Sequence, residues 1–329
     1  MRLLAVEVRR IRARRLVLLV VLAGLGAIAL VLAGTWQSAR PLTDAQIEDA
    51  ERQYAFALED WEANGEQMVA DCLEQQERES ELTGGPVDFG CEQMGPPQEE
   101  WFFPQANELA QTFVPLLSST ATLLVLLVFA IGVTSTAAEM SSGSMSTWLT
   151  FVPQRMRVLF SKVGAAVLVG LPLTLLLVLV LVAGLVGVHA ANDALGDLTG
   201  EVWTDVAWTV LRIVLLGGVV AGVGAALGVL LRHTGVALGV VLGYAVVVEA
   251  ILGSLVTRLQ PFLLRTTMTG WIEGGTSYWV NECTVTERGT ECMGTEVPVS
   301  LLQSSLVLVV AVAVVLGVTA LVFRRRDVG

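Results

Sequence analysis

With two histidines and four cysteines in 329 residues, the chain has little from which to build a metal centre or a thiol catalyst. His189 and His233 lie in different polar stretches, and Cys72, Cys91, Cys283 and Cys292 stand apart from both, so no His/Cys ligand spacing forms. No Walker A run or glycine-rich phosphate loop occurs, so the chain by itself is not expected to hydrolyse ATP. Charge is scarce too. Only 16% of the residues are charged and 54% are apolar, and a mean hydropathy of +0.68 excludes an ordinary soluble protein of this length. The net charge of −11 offers nothing for a nucleic acid to bind. What remains is a polytopic membrane protein.

The average charge hides a strong segregation. Between residues 36 and 110 there are 18 Asp and Glu against Arg40, Arg52 and Arg78, whereas the stretches flanking other apolar runs are basic. Six apolar runs with both termini cytoplasmic place 13 basic and 3 acidic residues inside, and 6 basic and 27 acidic residues outside. That distribution follows the positive-inside rule. The fold class expected is an all-α membrane protein with six transmembrane helices and a helical acidic exterior domain between the first two.

In chain order the expectation is a basic cytoplasmic helix over 1–15, a first span over 16–36, the exterior domain over 37–109 and a second span over 110–138. A cytoplasmic loop over 139–162, a third span over 163–188, an exterior loop over 189–205 and a fourth span over 206–231 follow. A cytoplasmic turn at 232–234, a fifth span over 235–256, an exterior or re-entrant segment over 257–298, a sixth span over 299–323 and a cytoplasmic tail over 324–329 complete it. The first run is long for the apolar core of a cleaved signal peptide, so an uncleaved helix is favoured.

In the exterior domain, Thr43 followed by Gln46 forms a capping-box pattern, and Ile47, Tyr54, Trp61 and Met68 recur every seven residues, predicting an amphipathic helix toward Cys72. Asn64 and Gly65 are its weak point, where the helix could fold back as a two-helix hairpin. All four cysteines lie in exterior loops. Cys72 with Cys91 and Cys283 with Cys292 is the simplest disulfide pairing of three, with free thiols as the alternative. The acidic residues lack the alternating pattern and glycine of a calcium loop and read as a solvated face.

Between the second and third runs stands EMSSGSMSTWLTFVPQRMRVLFSK, from Glu139 to Lys162. Met145, Trp148, Leu149 and Val152 share one helical face, and Pro153 turns Val152 away from helical geometry. Arg155, Arg157 and Lys162 then mark a cytoplasmic boundary. The spacing of Glu139, Gly143, Pro153, Arg155 and Lys162 resembles the loop between the second and third helices of the ABC-2 type transporter permease family. Ser144 stands where that family usually has a Thr.

The resemblance implies a membrane subunit of a bacterial ABC exporter in the plasma membrane. It implies a coupling helix in this loop, including Trp148, docked in a groove of a separate ATPase. ATP and Mg would then be bound by that partner, with no cofactor in this chain, and a second permease subunit, identical or related, would complete the pathway in the lipid. The resemblance also implies short re-entrant helices before the sixth span, and an Arg-Asp ending, here Arg326 and Asp327.

Two charges fall within spans, Arg212 and Glu249, where an ionisable group is costly unless paired or functional. Their heights differ by roughly 9 Å at about 1.5 Å per residue. They could pair, or Glu249 could meet Arg258 or Arg265 from the re-entrant segment. Gly235, Gly239 and Gly243 form a stripe on the fifth span, matched by Gly218, Gly222, Gly224 and Gly228 on the fourth, predicting close packing of those two helices. Two further function classes remain open: a secondary transporter, for which Glu249 is the one coupling candidate, and a membrane-anchored sensor or assembly protein using the exterior domain.

Overall fold

A computed structural model describes residues 2–103, 108–144, 154–286 and 289–325, with the side chains of all but residues 2 and 281–293. The chain begins with α1 (Arg2–Arg12), α2 (Arg15–Ser38) and α3 (Asp44–Thr83). Then come α4 (Leu109–Ser141), α5 (Arg155–Ala190) and α6 (Gly200–Leu231). The next helix, α7 (Thr234–Leu255), changes to π-helical geometry over Ala245–Leu252. A 3-10 turn (Thr257–Phe262), α8 (Leu264–Glu273), strands β1 (Gly275–Thr286) and β2 (Gly289–Ser300), and α9 (Leu301–Arg325) end the chain.

Helix accounts for 82% of the structure, and α2, α4, α5, α6, α7 and α9 are each long and apolar enough to cross a membrane. The protein is therefore a multi-pass membrane protein. It is not all-α. The segment 257–298 carries, besides α8, a two-stranded sheet. The expectation of a purely helical chain passed over a run rich in β-branched and aromatic residues, Thr276 to Val280, which suits a pleated strand.

Two compact units divide the chain: one of residues Met1–Gln37, Glu108–Val280 and Glu296–Gly329, the other of Ser38–Asn107 and Asn281–Thr295. In the first, α4, α5 and α6 form the core. More than half of the spanning windows of α4 and α6 are buried (61% each), against 6% for α7 and 11% for α9, so the last two present most of their apolar surface outward. Small residues bring α4 and α6 together. A Cβ added at Gly132 would overlap the Ala221 carbonyl, and one at Gly224 would overlap the Phe129 carbonyl. Thr136 Oγ1 donates to the Ala225 carbonyl at 2.8 Å. Backbones this close gain dispersion contacts that lipid tails do not replace.

The glycine stripe on α7 behaves differently from the expectation. A Cβ placed on Gly239 or Gly243 would meet nothing within 4 Å, and one on Gly235 would meet only the ring of His233. The α6 glycines instead receive α4 and α5: Gly218 faces Leu171, and Gly228 faces Thr136. Glycine spacing marks a face open to close approach without naming the partner. Here α4 brings its own small residues to that face, and α7 reaches the core through Ala237.

Helix ends in this unit are satisfied as buried ends must be. The Leu109 and Ala110 amides donate to the carbonyls of Ala194 and Leu195 at 2.9 and 3.1 Å. His189 is buried with Nδ1–H donating to the Leu185 carbonyl at 2.8 Å, and His233 Nδ1 accepts from the Gly235 amide at 3.2 Å at the start of α7. Both histidines thus serve helix ends and turns.

In the second unit α3 is a single 40-residue helix. Its start has both reciprocal bonds of a capping box, with the Thr43 amide donating to Gln46 Oε1 at 3.0 Å. No fold-back occurs at Asn64 and Gly65. The Asn64 amide donates to Asp60 Oδ1 at 2.7 Å, away from the backbone, and the Trp61 ring fills the space beside Gly65. Cys72 and Cys91 are disulfide-bonded with Cα atoms 5.7 Å apart. Nearby, the Phe89 amide donates to Gln76 Oε1 at 2.8 Å and the Val87 amide to Ser80 Oγ at 3.0 Å, so the returning segment is laid along α3. Cys283 and Cys292 belong to β1 and β2, and their side chains lie outside the described residues.

Candidate functional site: a buried charge cluster where α1, α4 and α5 meet

The last turns of α4 carry Glu139 and the second turn of α5 carries Lys162. Lys162 is the only lysine in the chain. Its side chain is 2% exposed and its ammonium contacts Glu139 Oε2 directly. It also reaches Glu7 Oε1 at 3.0 Å, both glutamates being 5% exposed. One cation thus joins two carboxylates from helices far apart in sequence.

Glu7 comes from α1, which lies on α5. Ile11 is buried in the main core, Leu4 and Val8 pack against it, and a Leu4 methyl stands 3.3 Å from where a Gly164 Cβ would be. The thin apolar stripe of this basic helix is therefore a protein-packing face. Arg10 follows Glu7 by three residues on the same side of α1, and Arg14 lies in the bend between α1 and α2. Arg10 reaches Glu139 Oε1 at 3.2 Å and Glu7 at 3.4 Å. Arg14 reaches Glu139 Oε1 at 3.0 Å and also donates to the Thr134 carbonyl at 3.0 Å.

Two carboxylates and three cations make up the cluster, and Glu139 is its hub. Burying such charges costs several kcal/mol per ion unless each is paired and hydrogen-bonded. Here every member has a partner, and the arginines keep their outer sides partly in solvent. The arrangement ties the ends of α1, α4 and α5 together, because none can withdraw without breaking ion pairs that are held away from water. The sequence held a signal for the missed members: Glu7 is the one acid among residues 1–15, set at helical spacing from two arginines.

Beyond Glu139 the chain leaves α4 through Ser142 and Gly143, the latter at φ +71°, where a side chain would be strained. Ser144 Oγ donates to the Glu139 carbonyl at 3.3 Å. Arg155 opens α5. Trp148 and Pro153, with the helix expected around Met145, Leu149 and Val152, lie outside the described residues.

A second polar assembly surrounds Arg212, in the first half of α6, and Glu249 of α7. Arg212 and Glu249 do not pair. Glu249 Oε1 accepts from the Leu264 amide at 2.7 Å and Oε2 from the Arg265 amide at 3.2 Å. Arg212 Nη1 donates to the Ile272 carbonyl at 3.5 Å, and the Trp271 indole N–H donates to the Arg212 carbonyl at 3.0 Å. The pairing expectation considered only side chains, whereas the partner of each charge is backbone of α8. Beside Glu249, a cavity of about 440 Å³ is bordered by Gln260, Arg265, Thr266, Thr269 and Tyr278, among others.

Six spanning helices with a charge-locked junction at the loop-bearing end define a multi-pass membrane protein. The family described as ABC-2 family transporter protein matches residues 3–328, and the chain belongs to that family. Membership indicates a permease component of an ABC transporter. No curated protein and no solved structure matches it significantly.

Proposed function

We propose that this chain is the membrane subunit of an ATP-driven exporter in a bacterial plasma membrane, paired with a second permease subunit and served by separate ATPase subunits. The observation that carries the reading is the Glu139 hub. The loop between Glu139 and Lys162 begins and ends on the same ion cluster, so a force applied to it is delivered jointly to α4, α5 and α1. ATP and Mg reside in the partner. Closure of the ATPase pair pushes the loop, and the locked helix ends carry the displacement into the bundle as a rigid movement.

The rival secondary-transport reading requires an ionisable group available for coupling, and the Glu249 carboxylate is already engaged by two backbone amides.

The test is copurification with ABC ATPase subunits co-expressed from the same source, in nanodiscs and at matched expression. Glu139→Gln and Arg155→Ala are expected to keep the bundle folded and to lower substrate- or permease-stimulated ATP hydrolysis. Wild-type protein that neither binds nor stimulates the ATPase overturns the proposal.

A further inference from the structure

α8 is only ten residues long, and its two ends are met by the two charges that lie within spans. The residue preceding it, Leu263, has no side chain able to cap it. Glu249 fills that role from α7, its carboxylate receiving the first amides of α8, where the helix dipole is positive. At the other end, Gly274 adopts φ +91° and its amide closes on the Gly270 carbonyl at 3.2 Å. The Arg212 guanidinium lies against that turn: a Cβ at Gly274 would stand 2.6 Å from Nη1. A cation therefore sits at the negative end of the dipole, donating to the Ile272 carbonyl. The Trp271 indole returns a hydrogen bond to the backbone of the same arginine.

We propose that Arg212 and Glu249 are positioning residues that clamp α8 between α6 and α7 by its opposite dipole ends, making α8 a movable wall of the polar cavity beside Glu249. The two halves of the clamp differ in strength. The Arg212 end is reinforced by Trp271, by buried Ile272, and by Gly270 against Ser304 of α9. At the Glu249 end the side chain of Leu263 packs beside Gly253 of α7, and the polar link to α7 is one carboxylate, borne by its π-helical part. Return of that stretch to α-helical geometry shifts the register by a residue and turns Glu249 by about 100°. That movement takes the carboxylate off the α8 amides while the Arg212 end holds. Thr266, Thr269 and Arg265 border the cavity from α8, so release of the Glu249 end changes access to it.

The clamp stands independently of the ATPase reading, and hydrogen–deuterium exchange on the full-length protein in lipid nanodiscs tests it without any ATPase. Glu249→Ala is expected to speed exchange of the amides at 264–268 by roughly tenfold, with peptides of α4, α5 and α6 unchanged. Arg212→Gln is expected to act on 270–274 instead. Glu249→Gln, which keeps one carbonyl acceptor, falls between Glu249→Ala and the parent. Parental exchange over α8 in both Glu249→Ala and Arg212→Gln overturns the proposal. So does equal acceleration throughout α4, α5 and α6 in the mild Glu249→Gln variant, because these residues would then hold the whole bundle and not α8.

Discussion

Replacing Lys162 by Met keeps most of the side chain's length and removes the more deeply buried of the two cations shared by Glu7 and Glu139, Arg10 being the other. At 2% exposure for the lysine and 5% for each carboxylate, water cannot substitute for the lost charge. Breaking a buried pair costs about 3–5 kcal/mol. The lower end applies here, about 3 kcal/mol, because Arg10 and Arg14 remain on Glu139 and Arg10 remains 3.4 Å from Glu7. The measurement is equilibrium unfolding in mixed micelles titrated with SDS, followed by tryptophan fluorescence. Adding Glu7→Gln to Lys162→Met removes one stranded carboxylate and is expected to recover about 1 kcal/mol or more. The double variant should therefore be more stable than the single one. A loss below about 1 kcal/mol for Lys162→Met, or a further loss on adding Glu7→Gln, would refute the reasoning that the cluster is buried and jointly balanced.

The same burial makes Lys162 unreactive: an amine-specific ester should label the chain terminus and leave Lys162 intact in folded protein, with Glu7→Ala raising its modification by mass spectrometry. Gly132→Ala should destabilise by about 1–3 kcal/mol through overlap with the Ala221 carbonyl, while Gly239→Ala, into open space, should stay within about 0.5 kcal/mol. Thermal unfolding of the two variants separates them. Removing the Cys72–Cys91 bridge, which spans a separation of 19 residues, should cost the second unit about 2–4 kcal/mol. Limited proteolysis should then show new cleavage between residues 84 and 90, with the spans still resistant.

How much of this could be read beforehand depended on whether a residue's partner has a sequence pattern of its own. Glu139 and Lys162 could be singled out because they frame a polar loop between two apolar runs. Glu7 carried a weaker signal, because a single acid among arginines looks like part of a solvated surface helix until α1 is seen packed on α5. Arg212 and Glu249 stood out as charges in apolar surroundings, but their partners are amides and carbonyls, which every residue carries. The continuity of α3 past Gly65 was hidden for a related reason. Glycine weakens a helix only where nothing replaces its missing side chain, and here Trp61 one turn earlier does so. The π-helical stretch of α7 has no proline or glycine within Ala245–Leu252 to announce it, and the contact of Glu249 with α8 that it carries is to backbone amides.

The polar groups divide the bundle into parts that must move together and parts that can separate. α4 and α6 interlock through backbone-close small residues, so sliding one past the other would bring larger residues to the places of Gly132 and Gly224, where a Cβ overlaps a carbonyl of the facing helix. α5 joins them through Gly170 and Gly217, and the Glu139 cluster ties α1 to the same block. α7 lacks such an interlock along Gly239 and Gly243, and at its far end Glu249 holds it to α8. Under the exporter reading, a push on the loop after Glu139 therefore moves α1, α4, α5 and α6 as one body. The relative motion is thrown onto the seam with α7. The weakest polar link across that seam is the carboxylate of Glu249 on two amides, so the first bond to yield lies at the opposite end of the bundle from the push. Weakening Glu249 should accordingly lower the displacement needed to open that end, whereas weakening Glu139 should prevent the push from arriving. Measured against ATP turnover, Glu249→Gln would then retain stimulation of the ATPase that Glu139→Gln loses; the reverse order would break the argument.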